Sequence, residues 1–213
     1  MIQKLLVYQK NWKAPITDVD NWPRCVQIAW QLLDDMGELI EDQNYLIRPD
    51  NFEIPYESQK IHGISTELAL EDGEPLDEVL EKFNLSLEKA SFVIGHNIDF
   101  DANVIGCEFY RKKIESCLSS TKSLDTCTED TALLCKLPGG RGGKYKFPTL
   151  VELHEFLFDA SFKQAHNATA DVEATARCFL ELIRIKEFTE DQLGVTSDYF
   201  DTYISKNPDK IQQ

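Results

Sequence analysis

The sequence predicts a mixed α/β fold, and three features carry that expectation. "RCVQIAWQLLD", the turn "DDMGE" and "LIEDQNYLIRP" read as a β-hairpin closed by Pro49. "PLDEVLEKFNLSLEKA" places Leu76, Val79, Leu80, Phe83, Leu87 and Ala90 on one helical face, with Pro75 suited to a first turn. The short apolar strand "SFVIGHN" then runs into a polar break followed by helical segments. Strands followed by helices in this way are the pattern of an α/β layer structure.

The remaining elements follow in order. "DANVIGCEFYRKK" and "TEDTALLCKL" read as helices, as does "PTLVELHEFLF", which opens on Pro148. "TADVEATARCFLELIRIKEF" is the strongest helix of the chain. The polar end, "TEDQLGVTSDYFDTYISKNPDKIQQ", reads as a small helical appendage or the start of a linker. The expected division is one domain over 1–188 and an appendage over 189–213. With 213 residues, 42% of them hydrophobic, the chain can bury one sizeable core.

Composition narrows the classes. No apolar run approaches the roughly 18–20 residues of a membrane span, and "MIQKLLVYQK" lacks a secretory h-region, so the expectation is a cytoplasmic protein with no membrane partner. The six cysteines lie at irregular spacings without a C-x-x-C pair, which fits reduced thiols better than zinc or a disulfide framework. A net charge of −15 opposes bulk electrostatic grip on nucleic acid but leaves open contact with phosphates through bound cations.

Two stretches carry chemistry. In "VIGHNIDFDANVIG" a strand delivers His96, Asn97, Asp99 and Asp101 to its C-terminal end, where carboxylates can hold a cation. Taken alone, the stretch is read first as Asp101 capping the following helix. In "AHNATADVEAT" His166 precedes Asp171 at the opening of the long helix, so both can point into one cleft. The competing reading is a surface histidine beside an acid that complements the helix dipole.

Together the two stretches resemble the DnaQ-like DEDDh group of 3′→5′ exonucleases. "HNIDFDANVI" is similar to the group's second motif, whose metal-binding aspartate falls on Asp101, and "HNATADVEAT" to the third, with His166 as catalytic histidine and Asp171 as metal ligand. "KIHGIS" resembles the loop near the terminal nucleotide, which makes His62, Gly63 and Ile64 substrate-binding candidates together with Asn97. The resemblance implies a ribonuclease H-like mixed sheet flanked by helices, with the first strand truncated or altered. It further implies Mg2+ or Mn2+ in a two-ion site, and a single-stranded DNA 3′ end as substrate. The implied partner is a DNA polymerase III α subunit or polymerase domain.

The chemistry suits those residues. Two hard cations about 3.5–4 Å apart clamp the attacking and leaving oxygens of a phosphodiester, and such ions take carboxylate ligands. A histidine of near-neutral pKa can accept the water's proton. The group takes two further carboxylates from a D-x-E on the first strand, where residues i and i+2 share a face. Its pattern there is close to "FDTETTGLPKNW"; this chain reads "MIQKLLVYQKNW". The flank is in register, but Asp and Glu are absent. Asp18 and Asp20 have the spacing, yet fall in "ITDVDNW", which reads as loop. The expectation is therefore an exonuclease by family, impaired by loss of the pair, with a non-catalytic nucleic-acid-binding or docking module of a polymerase as the alternative.

"IQKLLVYQ" has a second explanation. Codons for the family's "DTETTGLPKN", read one base late, spell Ile2 through Gln9 in order, and one extra adenine at Lys10 restores "KNWKAP". The alternative is a genuine divergent strand, since "KLLVY" suits a sheet. A slipped or poorly seated "LLVY" is the expected consequence. Finally, "KLPGGRGGKYK" gathers Lys136, Arg141, Lys144 and Lys146 in an acidic chain. It is either a solvated loop or a basic one that holds substrate phosphates, with Arg141, Lys144 and Lys146 as the candidates.

Overall fold

The computed structural model describes residues 2–4, 11–162 and 168–207. A short first strand, β1 (Ile2–Lys4), precedes the hairpin β2 (Cys25–Leu33) and β3 (Leu39–Leu46). The hairpin runs antiparallel from Gln27 opposite Leu46 to Leu33 opposite Leu39. Its turn is set by Asp34, whose Oδ1 accepts from the backbone N–H of Met36 and of Glu38 at 2.8 Å each. Gly37 supplies the left-handed residue there, at φ 78°.

Helices α1 (Tyr56–His62), α2 (Thr66–Asp72) and α3 (Leu76–Leu87) lead to β4 (Phe92–Gly95) and α4 (Ile98–Lys112). The strand β5 (Lys122–Asp125) and α5 (Glu129–Cys135) follow. After a 3-10 turn at Arg141–Gly143 come α6 (Leu150–Phe158), α7 (Ala168–Arg184), α8 (Glu190–Leu193) and α9 (Ser197–Lys206). Pro75 lies at the N-cap of α3 and not within its first turn, and Thr149 caps α6 reciprocally with Glu152, leaving Pro148 outside the helix.

The strands form two sheets, an antiparallel β1-β2-β3 and a parallel β4-β5. Side-chain alternation shows that they share one layer. Ile28 and Trp30 of β2 and Val93 of β4 pack into a cluster with Val79, Leu80, Val104 and Ile105 of α3 and α4. On the other face Ala29 meets Ala168 and Val172 of α7, while Phe92 and Ile94 meet Phe179 and Leu182 of the same helix. Helices thus cover both faces of β2 and of β4, as expected for strands that are apolar at both parities.

The C-terminal helices join this core: Phe200 and Tyr203 of α9 are buried against the cluster that contains Phe179, Leu182 and Phe188. Among the described residues no helix is long and apolar enough to cross a membrane. The expected slipped strand "LLVY", residues 5–8, lies outside the described residues.

Candidate active site

The junction of β4 and α4 is built by close backbone approach. A Cβ on Gly95 would stand 2.6 Å from the Ile98 side chain, so only glycine fits. Asn97 takes the left-handed conformation at φ 62°, which asparagine tolerates well, and its N–H donates to Asp125 Oδ1 at 2.8 Å. The His96 ring spans the same junction. Its Nε2 lies 2.9 Å from the carbonyl of Pro148, which can only accept, so that nitrogen carries the proton. Its Nδ1 lies 3.0 Å from the Thr126 hydroxyl, and burial holds the imidazole below its ordinary pKa. His96 is therefore a neutral clamp between β4, β5 and the start of α6.

Because α4 begins at Ile98, Asn97 occupies the N-cap and Asp101 sits within the first turn. This corrects the capping reading of Asp101. The side chain is 3% exposed, whereas Asp99 is exposed. The Cys25 thiol at the start of β2 is pushed well above its ordinary pKa by burial first, then by the charge of Glu108 and, more weakly, of Asp101. Cys25 is in turn the ladder partner of Lys4, which places β1 on the β2 edge opposite β3.

Asp171 occupies the first turn of α7 and is 7% exposed. The Thr175 hydroxyl donates to its backbone carbonyl at 2.8 Å, and the neighbouring Val172 packs on Ala29 of β2. His166 lies outside the described residues. Asp18 and Asp20 are exposed loop residues, as their setting in the sequence suggests.

The other candidates fall in two places. His62 ends α1 and Gly63, at φ 76°, terminates it. The N–H of Ile64 donates to His62 Nδ1 at 3.1 Å, so the proton sits on Nε2, a buried atom with no hydrogen-bond partner among the described residues. Burial lowers the pKa of this ring as well. Ile64 itself is buried with Val26, Ile54 and Ala69. In the basic loop Lys144 pairs with Glu129 at 2.8 Å and Lys146 with Glu152 at 2.6 Å. Arg141 is exposed, with no acidic partner within 4.0 Å among the described residues.

Glu108 anchors the start of β2 on the helix that carries Asp101, and it was missed as a candidate from sequence. It is 0% exposed and accepts from the Cys25 N–H at 2.8 Å and from Arg24 Nε at 3.0 Å. The signal was present: Asp101, Val104, Ile105 and Glu108 recur at helical spacing, so an acid lies on the apolar stripe of α4. Between β2 and β4 lies a cavity of about 930 Å³ with Asp101, Val172 and Thr175 in its wall.

The family model described as exonuclease (RNase T) matches residues 22–179, which is most of the chain and begins downstream of β1. The chain belongs to this exonuclease family. By family it is a nuclease. It is 29% identical over 152 residues to the PolC-type DNA polymerase III of Mycoplasmopsis pulmonis (strain UAB CTIP), covering 71% of this chain and 10% of that protein.

Among solved structures, E. coli exonuclease I in complex with a dA16 oligonucleotide matches with a TM-score of 0.61 and 20% identity, over 100% of this chain and 43% of the other. Exonuclease X in complex with 5′ overhanging duplex DNA matches with a TM-score of 0.54 and 18% identity, over 83% of this chain and 90% of the other. At these identities the likeness is one of fold, and it agrees with the ribonuclease H-like expectation. The chain spans a tenth of the curated relative and under half of exonuclease I.

Proposed function

We propose that this chain is a DnaQ-type 3′→5′ exonuclease domain that engages single-stranded DNA 3′ ends in the cytoplasm, with hydrolysis impaired by the missing acidic pair. The observation that carries the reading is the burial of Asp101 and Asp171 in the first turns of α4 and α7, helices that pack on the same two strands. Aspartate is seldom buried without a task. In this reading His166 joins them as the group that takes a proton from the attacking water. His62, Gly63, Ile64, Asn97, Arg141, Lys144 and Lys146 meet the DNA. The buried Nε2–H of His62 supports that assignment, because it is a donor with no described partner.

The sequence of β1 supports the impairment. Ile2 and Lys4 stand where the family's D-x-E pattern has its two acids, and neither is acidic. The family resemblance implies two Mg2+ or Mn2+ ions held by carboxylates. Among the described residues no group of three or more His, Cys, Asp or Glu is placed to hold a metal ion. Asp101 and Asp171 alone do not fit a two-ion site.

The same observation favours a second reading, a non-catalytic module that binds DNA or docks on a polymerase III α subunit; the PolC-type relative supports such a partner. A nuclease assay on labelled single-stranded DNA with Mg2+ or Mn2+, run beside DNA-binding anisotropy, tests both. The expected result is end binding with little digestion, and digestion gained by the double variant Ile2→Asp, Lys4→Glu. Robust digestion by the unaltered chain, abolished by Asp101→Ala, would overturn the impairment. Absence of DNA binding at low salt would overturn the nucleic-acid reading.

A further inference from the structure

The segment joining α5 to α6 inverts the usual distribution of side chains. From Tyr145 onward exposure alternates: Tyr145, Phe147 and Thr149 are exposed, whereas Lys146 is half-buried and Pro148 and Leu150 are buried. The alternation fits extended backbone, which Lys144 opens at φ −79° and ψ 165°, and in which residues i and i+2 share a side. The two aromatic rings, 42% and 46% exposed, therefore face water together, while the lysine between them turns to Glu152 at 2.6 Å. A merely solvated loop would bury its rings and expose its cation.

This presentation is built into the loop. The N–H of Lys146 donates to the Leu137 carbonyl at 2.9 Å and closes it. A Cβ on Gly140 would stand 2.2 Å from the Lys144 carbonyl oxygen and 2.3 Å from that of Tyr145, so the two limbs touch backbone to backbone. One residue past Phe147, the Pro148 carbonyl accepts from His96 Nε2 at 2.9 Å, which ties this limb to the junction where α4 begins. Charge also sets the segment apart. Residues 131–151 hold Lys136, Arg141, Lys144 and Lys146 and no Asp or Glu, in a chain of net charge −15. Lys144 and Lys146 meet Glu129 and Glu152 in largely exposed pairs, of the kind that contribute little and can exchange for phosphate.

We propose that Tyr145 and Phe147 form a base-stacking platform for a DNA single strand whose 3′ end lies at the β4–α4 junction, with Arg141 and Lys144 on its phosphates. The proposal rests on the exonuclease reading and gives the two rings a role that phosphate contacts alone leave open. The combination of groups selects the occupant. Cations alone fit any polyanion, and exposed rings alone fit any apolar partner. Rings interleaved with cations fit a polyanion that carries π-faces. A duplex keeps those faces inside its stack, whereas a single strand offers them. A rise near 3.3 Å per residue sets the two positions about 6.6 Å apart, which matches two base steps of about 3.4 Å.

The test measures binding of the full chain by anisotropy, at low salt and with a chelator present to prevent digestion. The probes are a 5′-labelled DNA single strand, the same strand with abasic sites in its 3′-terminal stretch, and a blunt duplex. The double variant Tyr145→Leu, Phe147→Leu keeps apolar bulk and removes the π-faces. Both positions are exposed, so its Tm should match that of the unaltered chain. The unaltered chain is expected to bind the intact strand roughly ten- to a hundredfold more tightly than the double variant does. That margin should vanish on the abasic strand, whereas Arg141→Ala should weaken binding of both strands alike. Equal affinity of the unaltered chain and the double variant for the intact strand would overturn the proposal and leave the exonuclease reading in place. A margin that survives on the abasic strand, or tighter binding of duplex than of single strand, would do the same. Failure of the unaltered chain to bind the single strand at all would overturn both.

Discussion

Glu108 accepts the backbone N–H of Cys25 at 2.8 Å, and this bond seats the first residue of β2 against the helix that carries Asp101. The same oxygen takes Arg24 Nε at 3.0 Å and lies 3.2 Å from Arg111 Nη1. Arg111 also donates to the carbonyls of Val19 and Trp22, so the charge on Glu108 organises the segment entering β2. A buried ion pair stabilises little relative to an apolar substitute, but removing one partner strands the other.

Glu108→Ala is therefore expected to destabilise the fold by about 3 kcal/mol, since it leaves the Cys25 donor and two guanidinium groups without their shared acceptor. Glu108→Gln keeps a carbonyl oxygen for Cys25 and should cost clearly less. Urea melts of the two variants check the order. Equal and small losses would mean that Glu108 is passive filling.

Acid should weaken the fold beginning near neutrality. His62, His96 and His154 are each held below the ordinary histidine pKa of 6.5, in every case by burial first. The unfolded chain then binds more protons than the native one as pH falls past 6.5, so stability is full above that value and declines below it. Thermal melts between pH 7.5 and 5.0, above the carboxylate range, should show Tm falling with acid. His96→Gln, which can still donate to Pro148 O, should flatten the dependence by one proton's worth. A Tm independent of pH across this window would contradict the neutral-clamp assignment.

All six cysteines are free thiols. Burial pushes Cys127 and Cys135 to about 11 and Cys178 to about 12, and raises Cys25 as well. Since the thiolate is the nucleophile, these four should resist iodoacetamide in the native protein at pH 7.5 and react on denaturation. Mass spectrometry of the alkylated peptides reads this directly. Rapid native labelling of Cys178 would show that α7 opens on the labelling timescale.

What the sequence made legible follows from how local each signal is. The hairpin, α3, α4 and α7 carry their own periodicity, and Asp101 and Asp171 stand beside it. Asp101 was open to reading as a cap because nothing local reveals that Asn97 takes φ 62° and starts the helix earlier. β5 was not legible: "KSLD" offers one apolar side chain, Leu124, and becomes a strand only by pairing with β4. α1 and α2 are short segments held by contacts of Ile64 and Ala69 with β2, which no window of their own sequence records. The cavity between β2 and β4 is a property of elements distant in sequence. Only the missing D-x-E hinted that the first strand was unusual.

The final prediction concerns the C-terminal segment, which on composition reads as an appendage. Phe200 and Tyr203 are each 4% exposed and pack with Phe179, Leu182 and Phe188, while Tyr203 also approaches the hairpin turn at Gly37. Burial raises the Tyr203 phenol above its ordinary pKa, as expected for a hydroxyl taken out of water. Two buried aromatic side chains are worth about 4 kcal/mol together by transfer bookkeeping. A chain ending at residue 188 should therefore melt about 10 °C lower than the full chain, at roughly 2–4 °C per kcal/mol for a domain of this size. Phe200→Ala in the full chain should reproduce about half of that loss. If the shortened chain melts at the same temperature, α9 rests on the core without stabilising it, and residues 189–213 are the separable appendage their composition suggests.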